Sequence, residues 1–310
     1  HGNTLGALSL SGNPGRRKLF GPLLKDWPKI EPCYAYRHQR DEESEDQYGG
    51  RAASALQDAI DEHGAENIAA FVAETVVGAT LGVVPPAGRY LQQVRDICER
   101  NNILLILDEV MAGCGRCARH FAYEHDGVRP DIVTLAKGLG GGYQPIAATI
   151  ARGFIHERIV SAHGAFAHGH TYVGHPVACA AAVAVAGVIE RDGLLENAAQ
   201  MGELLRRELR SAFASHPWVG DIRGRGMFVG IELVVDRKRK TPPHGALGLH
   251  VKLRRRAMSQ GLICYPGGGS ADGIDGAHIM LAPPLSYRQQ HVDELVSKLV
   301  ATLADIDTLQ

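Results

Sequence analysis

Apolar and polar positions follow two rhythms along the chain. Short runs rich in Leu, Ile and Val, without alternation, read as buried strands. They lie at residues 69–75, in Leu104-Leu-Ile-Leu-Asp108-Glu-Val110 and in Asp131-Ile-Val-Thr-Leu-Ala-Lys137, with a further strand at 147–151. Helical spacing predicts helices at 52–62 and 90–101. A long Ala-rich helix opens at Pro176, where proline suits the first turn, and runs to Arg191. Asp192-Gly193 breaks it. A second helix covers 194–213, with Leu204, Leu205 and Leu209 on its core face. Beyond Pro217 the pattern is that of a smaller unit. Strands are expected at 219–222, 227–235, 262–265 and 278–281, and helices at 247–260 and 289–303. Residues 1–50 read as loop-rich, and Asp41-Glu-Glu-Ser-Glu-Asp46 as a solvated acidic surface.

Strands followed by helices predict an α/β fold with a mostly parallel sheet and helices on both faces, plus a smaller C-terminal α/β domain. The expected division is 1–192 and 193–310. In such a sheet the polar residues that end neighbouring strands share its carboxyl edge, where ligands bind. Asp108 and Lys137 end two of these runs, and Gly138, Gly140, Gly141 and Gly142 follow the lysine. A lysine and an aspartate at that edge suit pyridoxal 5'-phosphate. The amine forms a Schiff base with the aldehyde, and the carboxylate holds the ring nitrogen protonated. Either residue alone is more simply a solvated lysine or a turn-capping acid; the pair in these contexts is far more specific.

Three segments in order carry a family resemblance. They are Leu107-Asp-Glu-Val-Met-Ala-Gly-Cys-Gly-Arg116, Gly127-Val-Arg-Pro-Asp-Ile-Val-Thr-Leu-Ala-Lys-Gly138 and Gly169-His-Thr-Tyr-Val-Gly-His-Pro176. With them the chain resembles the class III aminotransferases, pyridoxal-phosphate enzymes of fold type I, from His1 to Ala282-Pro-Pro-Leu285. The resemblance implies that Lys137 is the Schiff-base lysine and Asp108 the partner of the pyridine nitrogen. It implies that Val110 packs on the ring and that Thr171 reaches the phosphate of a neighbouring subunit's cofactor, hence a homodimer with shared active sites. Glu74 and Met111 fall on the substrate side, though a strand-end carboxylate in a hydrogen-bonded turn explains Glu74 equally well. The implied reaction moves an amino group from a primary amine or ω-amino acid to a 2-oxo acid by a ping-pong cycle.

Some positions depart from the family pattern. Many members carry an arginine before Ala-Pro-Pro-Leu to grip a substrate carboxylate, and Met280 stands there instead. Family members place a ring-stacking aromatic just before the His-Gly pair, and a phosphate-binding turn further upstream. Here the pair is His1-Gly2, so a chain lacking part of its cofactor domain, and weakly active by itself, is expected. The same lysine and aspartate would also serve an aminomutase, a racemase, a decarboxylase or a non-catalytic remnant.

Composition narrows the remaining choices. The 310 residues are 45% hydrophobic and 22% charged, with a net charge of -1. This gives no electrostatic reason to expect nucleic acid or an anionic membrane surface. No apolar run reaches membrane-spanning length. Six cysteines are too few for a disulfide scaffold and point to a reducing, cytoplasmic setting. Cys114-Gly-Arg-Cys117 has no second pair to complete a zinc site. The histidines between His163 and His175 lack the carboxylates or spacing of a metal centre. A nucleotide hydrolase would need a Gly-x-x-x-x-Gly-Lys-Ser/Thr loop, which the chain does not contain. A dinucleotide dehydrogenase would need a sixth-position glycine where Tyr143 stands.

Overall fold

A computed structural model describes residues 1–309. The first sheet has four strands in the order β1-β2-β3-β4: β1 (Ala70–Glu74), β2 (Leu104–Asp108), β3 (Ile132–Leu135) and β4 (Ala148–Ala151). β1–β2 and β2–β3 are parallel, as expected of buried non-alternating runs. β4 pairs antiparallel with β3. Helices Glu45–His63 and Tyr90–Arg100 pack their apolar stripes together over this sheet. Leu56, Ile60, Leu91 and Val94 join Leu105 and Leu107 in one core cluster.

The second sheet, in the order β5-β6-β8-β7, is antiparallel throughout: β5 (Val219–Arg225), β6 (Phe228–Leu233), β7 (Tyr265–Gly268) and β8 (Ala277–Leu281). Helices Leu194–Ala212, Leu249–Ser259 and Gln289–Leu303 cover it through Leu205, Leu209, Leu253 and Leu299. An ionic knot joins it to the N-terminal region. The fully buried Glu232 of β6 meets Arg37, Arg223 and the Tyr34 hydroxyl, and Arg223 Nε also donates to the Val83 carbonyl at 3.0 Å.

Four expectations are corrected. The first long helix starts at Glu45 rather than near 52, because Ser44 and Gln47 form a reciprocal capping box. Glu45 and Asp46 therefore belong to a helical first turn, where acids suit the helix dipole. Residues 1–50 contain short helices, among them Leu5–Leu10 and Ala35–His38. A helix at Gly153–His163, which buries no residue fully, has no counterpart in the sequence reading. The strand expected at 262–265 lies at Tyr265–Gly268. Gly267 fits there because the His278 ring occupies its side-chain space; a Cβ on Gly267 would come within 2.4 Å of His278 Cε1.

Candidate active site

The carboxyl ends of β1 and β2 bring two acids side by side, with Glu74 in register with Asp108. The last residue of β2 and the one that follows it then separate in role. Asp108 is 8% exposed and faces the cleft. Glu109 turns into the core, where it accepts from Thr75 Oγ1 at 2.6 Å and from the amides of Ala122 and Tyr123 at 2.8 and 3.0 Å. Asp108 Oδ1 accepts from the Val110 amide at 3.0 Å and meets His1 Nδ1 at 2.9 Å.

Lys137 follows β3 at the start of a tight turn, Lys137–Gly140, and has a φ of +43°. A β-carbon is strained in that region. Gly141 and Gly142 take positive φ, whereas Gly138 and Gly140 do not. Gly138 is small for another reason, since a Cβ there would lie 3.1 Å from that of Cys114. Cys114 and Cys117 are free thiols, which burial pushes up to about 11 and about 12, far from a reactive thiolate.

Lys137 is exposed to solvent. Partial desolvation of its ammonium, assisted by Arg16, lowers its pKa against the opposing pull of Asp108 and Glu74. Desolvation and then the neighbouring Asp108 push Glu74 up to about 7, while the Gly78 amide, donating at 3.4 Å, acts in the other direction. The two acids and the lysine therefore share one electrostatic environment. A carboxylate and a partly desolvated amine at neighbouring strand ends fit the ring nitrogen and aldehyde of pyridoxal phosphate by the chemistry of the donor set.

Val110 lies beside Asp108, to which its amide is bonded. Met111 is partly buried on an apolar cluster formed by Val76, Val83, Phe228 and Met280. A Cβ on Gly78 would stand 3.4 Å from Met111 Cγ and 3.6 Å from both Glu74 Oε1 and Phe228 Cζ. Glu74, Gly78, Met111 and Phe228 thus converge on one wall. Thr171 is not brought to this cluster. It sits on an exposed turn and makes no hydrogen bond to Lys137 or Asp108. The sequence reading missed His1 as a site residue; its only signal was the His-Gly pair.

The family model for class-III aminotransferases matches residues 1–303. An aminotransferase of Gibberella zeae is 42% identical over 302 residues, which cover 96% of this chain and 59% of that protein. The taurine–pyruvate aminotransferase of Rhodobacter capsulatus is 36% identical over 307 residues, 98% of this chain and 65% of that protein. The chain thus spans about three-fifths to two-thirds of these relatives' length. The crystal structure of the omega transaminase from Pseudomonas jessenii in complex with PMP superposes with a TM-score of 0.89 at 38% identity, covering 99% of this chain and 66% of that one. The two-sheet architecture agrees with these matches, and the chain belongs to the class-III aminotransferases.

Proposed function

We propose that this protein is a pyridoxal-phosphate-dependent aminotransferase, moving an amino group from a primary amine or ω-amino acid to a 2-oxo acid. The observation that carries the reading is the placing of Asp108 and Lys137 at the carboxyl ends of β2 and β3, where each feels the other's charge. When bound, the cofactor supplies a Schiff-base-forming aldehyde and an electron-accepting ring. Asp108 would hold the ring nitrogen protonated, and Val110 would pack on the ring. Lys137 would anchor the cofactor and, when free, move a proton between substrate carbon atoms. Its lowered pKa favours the unprotonated amine that this needs.

The wall of Met111, Phe228 and Met280 supports an amine or ω-amino acid as donor. Met280 is 7% exposed, packed among apolar side chains, and offers no cation to an α-carboxylate. The matched Pseudomonas jessenii protein is an omega transaminase, and that of Rhodobacter capsulatus acts on taurine and pyruvate. Glu74, on the same wall, borders the substrate side.

A homodimer with shared sites is part of the proposal. Tyr143, Phe154, Phe166, Tyr172, Val177 and Val183 expose 45–81% of their surface along one stretch of chain. Apolar exposure on this scale favours a protein partner. Thr171 lies within the stretch, where it could serve a second subunit's phosphate. The division into 1–192 and 193–310 is supported by Gly193, whose φ of +60° joins the Pro176–Arg191 and Leu194–Ala212 helices. Among the described residues no helix is long and apolar enough to cross a membrane; a cytoplasmic setting rests on the sparse cysteines.

The test is a donor screen with pyruvate and 2-oxoglutarate as acceptors, run beside Lys137→Ala. Amine or ω-amino acid donors should give alanine or glutamate, and the variant should give none. Faster transfer from ordinary α-amino acids would overturn the donor class.

A further inference from the structure

Val83 is fully buried and β-branched, yet its φ is +57°. That region is disfavoured for such a side chain and persists where the surroundings over-determine it. Here the surroundings come from both sheets. Val77 and Val84 pair antiparallel and close a turn at 78–83, in which the Gly78 carbonyl accepts from the amides of Gly82 and Val83 at 2.9 and 3.1 Å. The turn rests on the second sheet. Gly230 of β6 admits the Gly82 carbonyl, which a Cβ on Gly230 would approach to 2.1 Å, and the His278 ring of β8 fills the space beside Gly82. Arg223 of β5 grips the turn twice. Its Nε donates to the Val83 carbonyl at 3.0 Å and its Nη2 to the Leu81 carbonyl at 2.8 Å. The guanidinium is itself anchored, by Glu232 at 2.7 Å and by Asp221 at 3.1 Å.

The other end of the turn belongs to the wall of the cleft. The Gly78 amide donates to Glu74 Oε1 at 3.4 Å, and Val83 packs in one cluster with Phe228 and Met280, against which Met111 lies. We infer that Arg223 is a positioning residue for substrate selection: by holding the Leu81 and Val83 carbonyls it fixes the strained turn, and the turn sets where Glu74 and Met111 border the donor. This rests on the reading of that wall as the substrate side. Arginine suits the task because its planar fork reaches several acceptors at once. A lysine ammonium in its place could keep the pairing with Glu232 but could not span both carbonyls. Arg37 supplies the contrast. It shares Glu232 at 3.1 Å and donates to the Lys240 carbonyl at 3.1 Å, and among the described residues none of its hydrogen bonds goes to the turn.

The first readout needs no cofactor. In the wild type, amide hydrogen exchange at Gly82 and Val83 should be as slow as in the core strand β6. In Arg223→Lys it should be about tenfold faster, and in Arg37→Lys little changed. Glu74, followed by carbon-13 NMR of its carboxyl, should titrate at higher pH in Arg223→Lys alone, because a hydrogen bond from a fixed amide favours the charged form. Fast exchange at these amides in the wild type would overturn the inference without any variant, and equal effects of the two arginine variants would reduce both residues to a structural knot. The second readout, with cofactor bound and pyruvate as acceptor, is the ratio of kcat/KM for 1-phenylethylamine to that for β-alanine. Arg223→Lys should change it by about tenfold, since a displaced wall discriminates donors by size, and Arg37→Lys should not. An unchanged ratio beside faster exchange would overturn the role in selection. Wild-type transfer from neither donor would reject the reading of the wall, a result distinct from failure of the clamp, which exchange and titration decide.

Discussion

Glu74 and Asp108 stand opposite one another at the carboxyl ends of a parallel strand pair, and burial followed by the neighbouring Asp108 charge drives Glu74 up to about 7. Asp108 Oδ1 accepts from the Val110 amide and meets His1 Nδ1, whereas Glu74 has the single long bond from Gly78. Burial beside a second acid makes Glu74 hold a proton to higher pH than it would in water.

That proton has a consequence for stability. Between the ordinary value of 4.5 and about 7, folded Glu74 binds more protons than unfolded Glu74. The unfolded state then has the smaller proton count, so this contribution to stability falls as pH rises through the window. It is complete below the ordinary value and lost above about 7. The cost is at most roughly 3 kcal/mol. Urea denaturation of wild type and Glu74→Gln across this range should show the variant without that slope. Parallel pH profiles would mean Glu74 titrates as an ordinary carboxylate.

Asp108→Asn should still bind cofactor but slow transfer by about 10²–10³, because a neutral amide cannot stabilise a protonated ring nitrogen as an anion does. Single-turnover kinetics with a fixed amine donor reads this directly. Wild-type rates would make Asp108 a structural residue.

Lys137 carries a φ of +43°, where glycine is at ease and a β-carbon is not. Lys137→Gly should be more stable than Lys137→Ala by roughly 1 kcal/mol, although both remove the amine. Equal unfolding midpoints would show that the turn relaxes when the lysine is lost.

Cross-subunit service by Thr171 predicts complementation. Mixed dimers of Thr171→Ala and Lys137→Ala chains should contain one site with both groups intact, and should exceed the activity of either parent dimer. No gain on mixing would confine each site to one chain.

Much of the first sheet is legible in the sequence because its strands are buried on both faces. Leu104-Leu-Ile-Leu and Ile132-Val-Thr-Leu are continuous apolar runs, and the residue ending each falls at one edge. The direction of β4 is not legible, since four residues carry no mark of whether they pair parallel or antiparallel. The strand at Tyr265–Gly268 is hidden because glycine disfavours strands, and its reason is the His278 ring across the pair. In the site, Lys137 and Asp108 announce themselves by position. The contact of His1 with Asp108 spans 107 positions of chain and rests on folding alone. The φ of Lys137 is likewise imposed by the turn, and no residue preference would suggest it.

The most direct test of the central claim is to load the full chain with pyridoxal phosphate, reduce with borohydride and map the labelled peptide. The label should fall on Lys137, within the peptide that follows β3, and should vanish in Lys137→Ala. Stoichiometric label on any other lysine, or undiminished labelling of the variant, would contradict the assignment of this cleft as the active site.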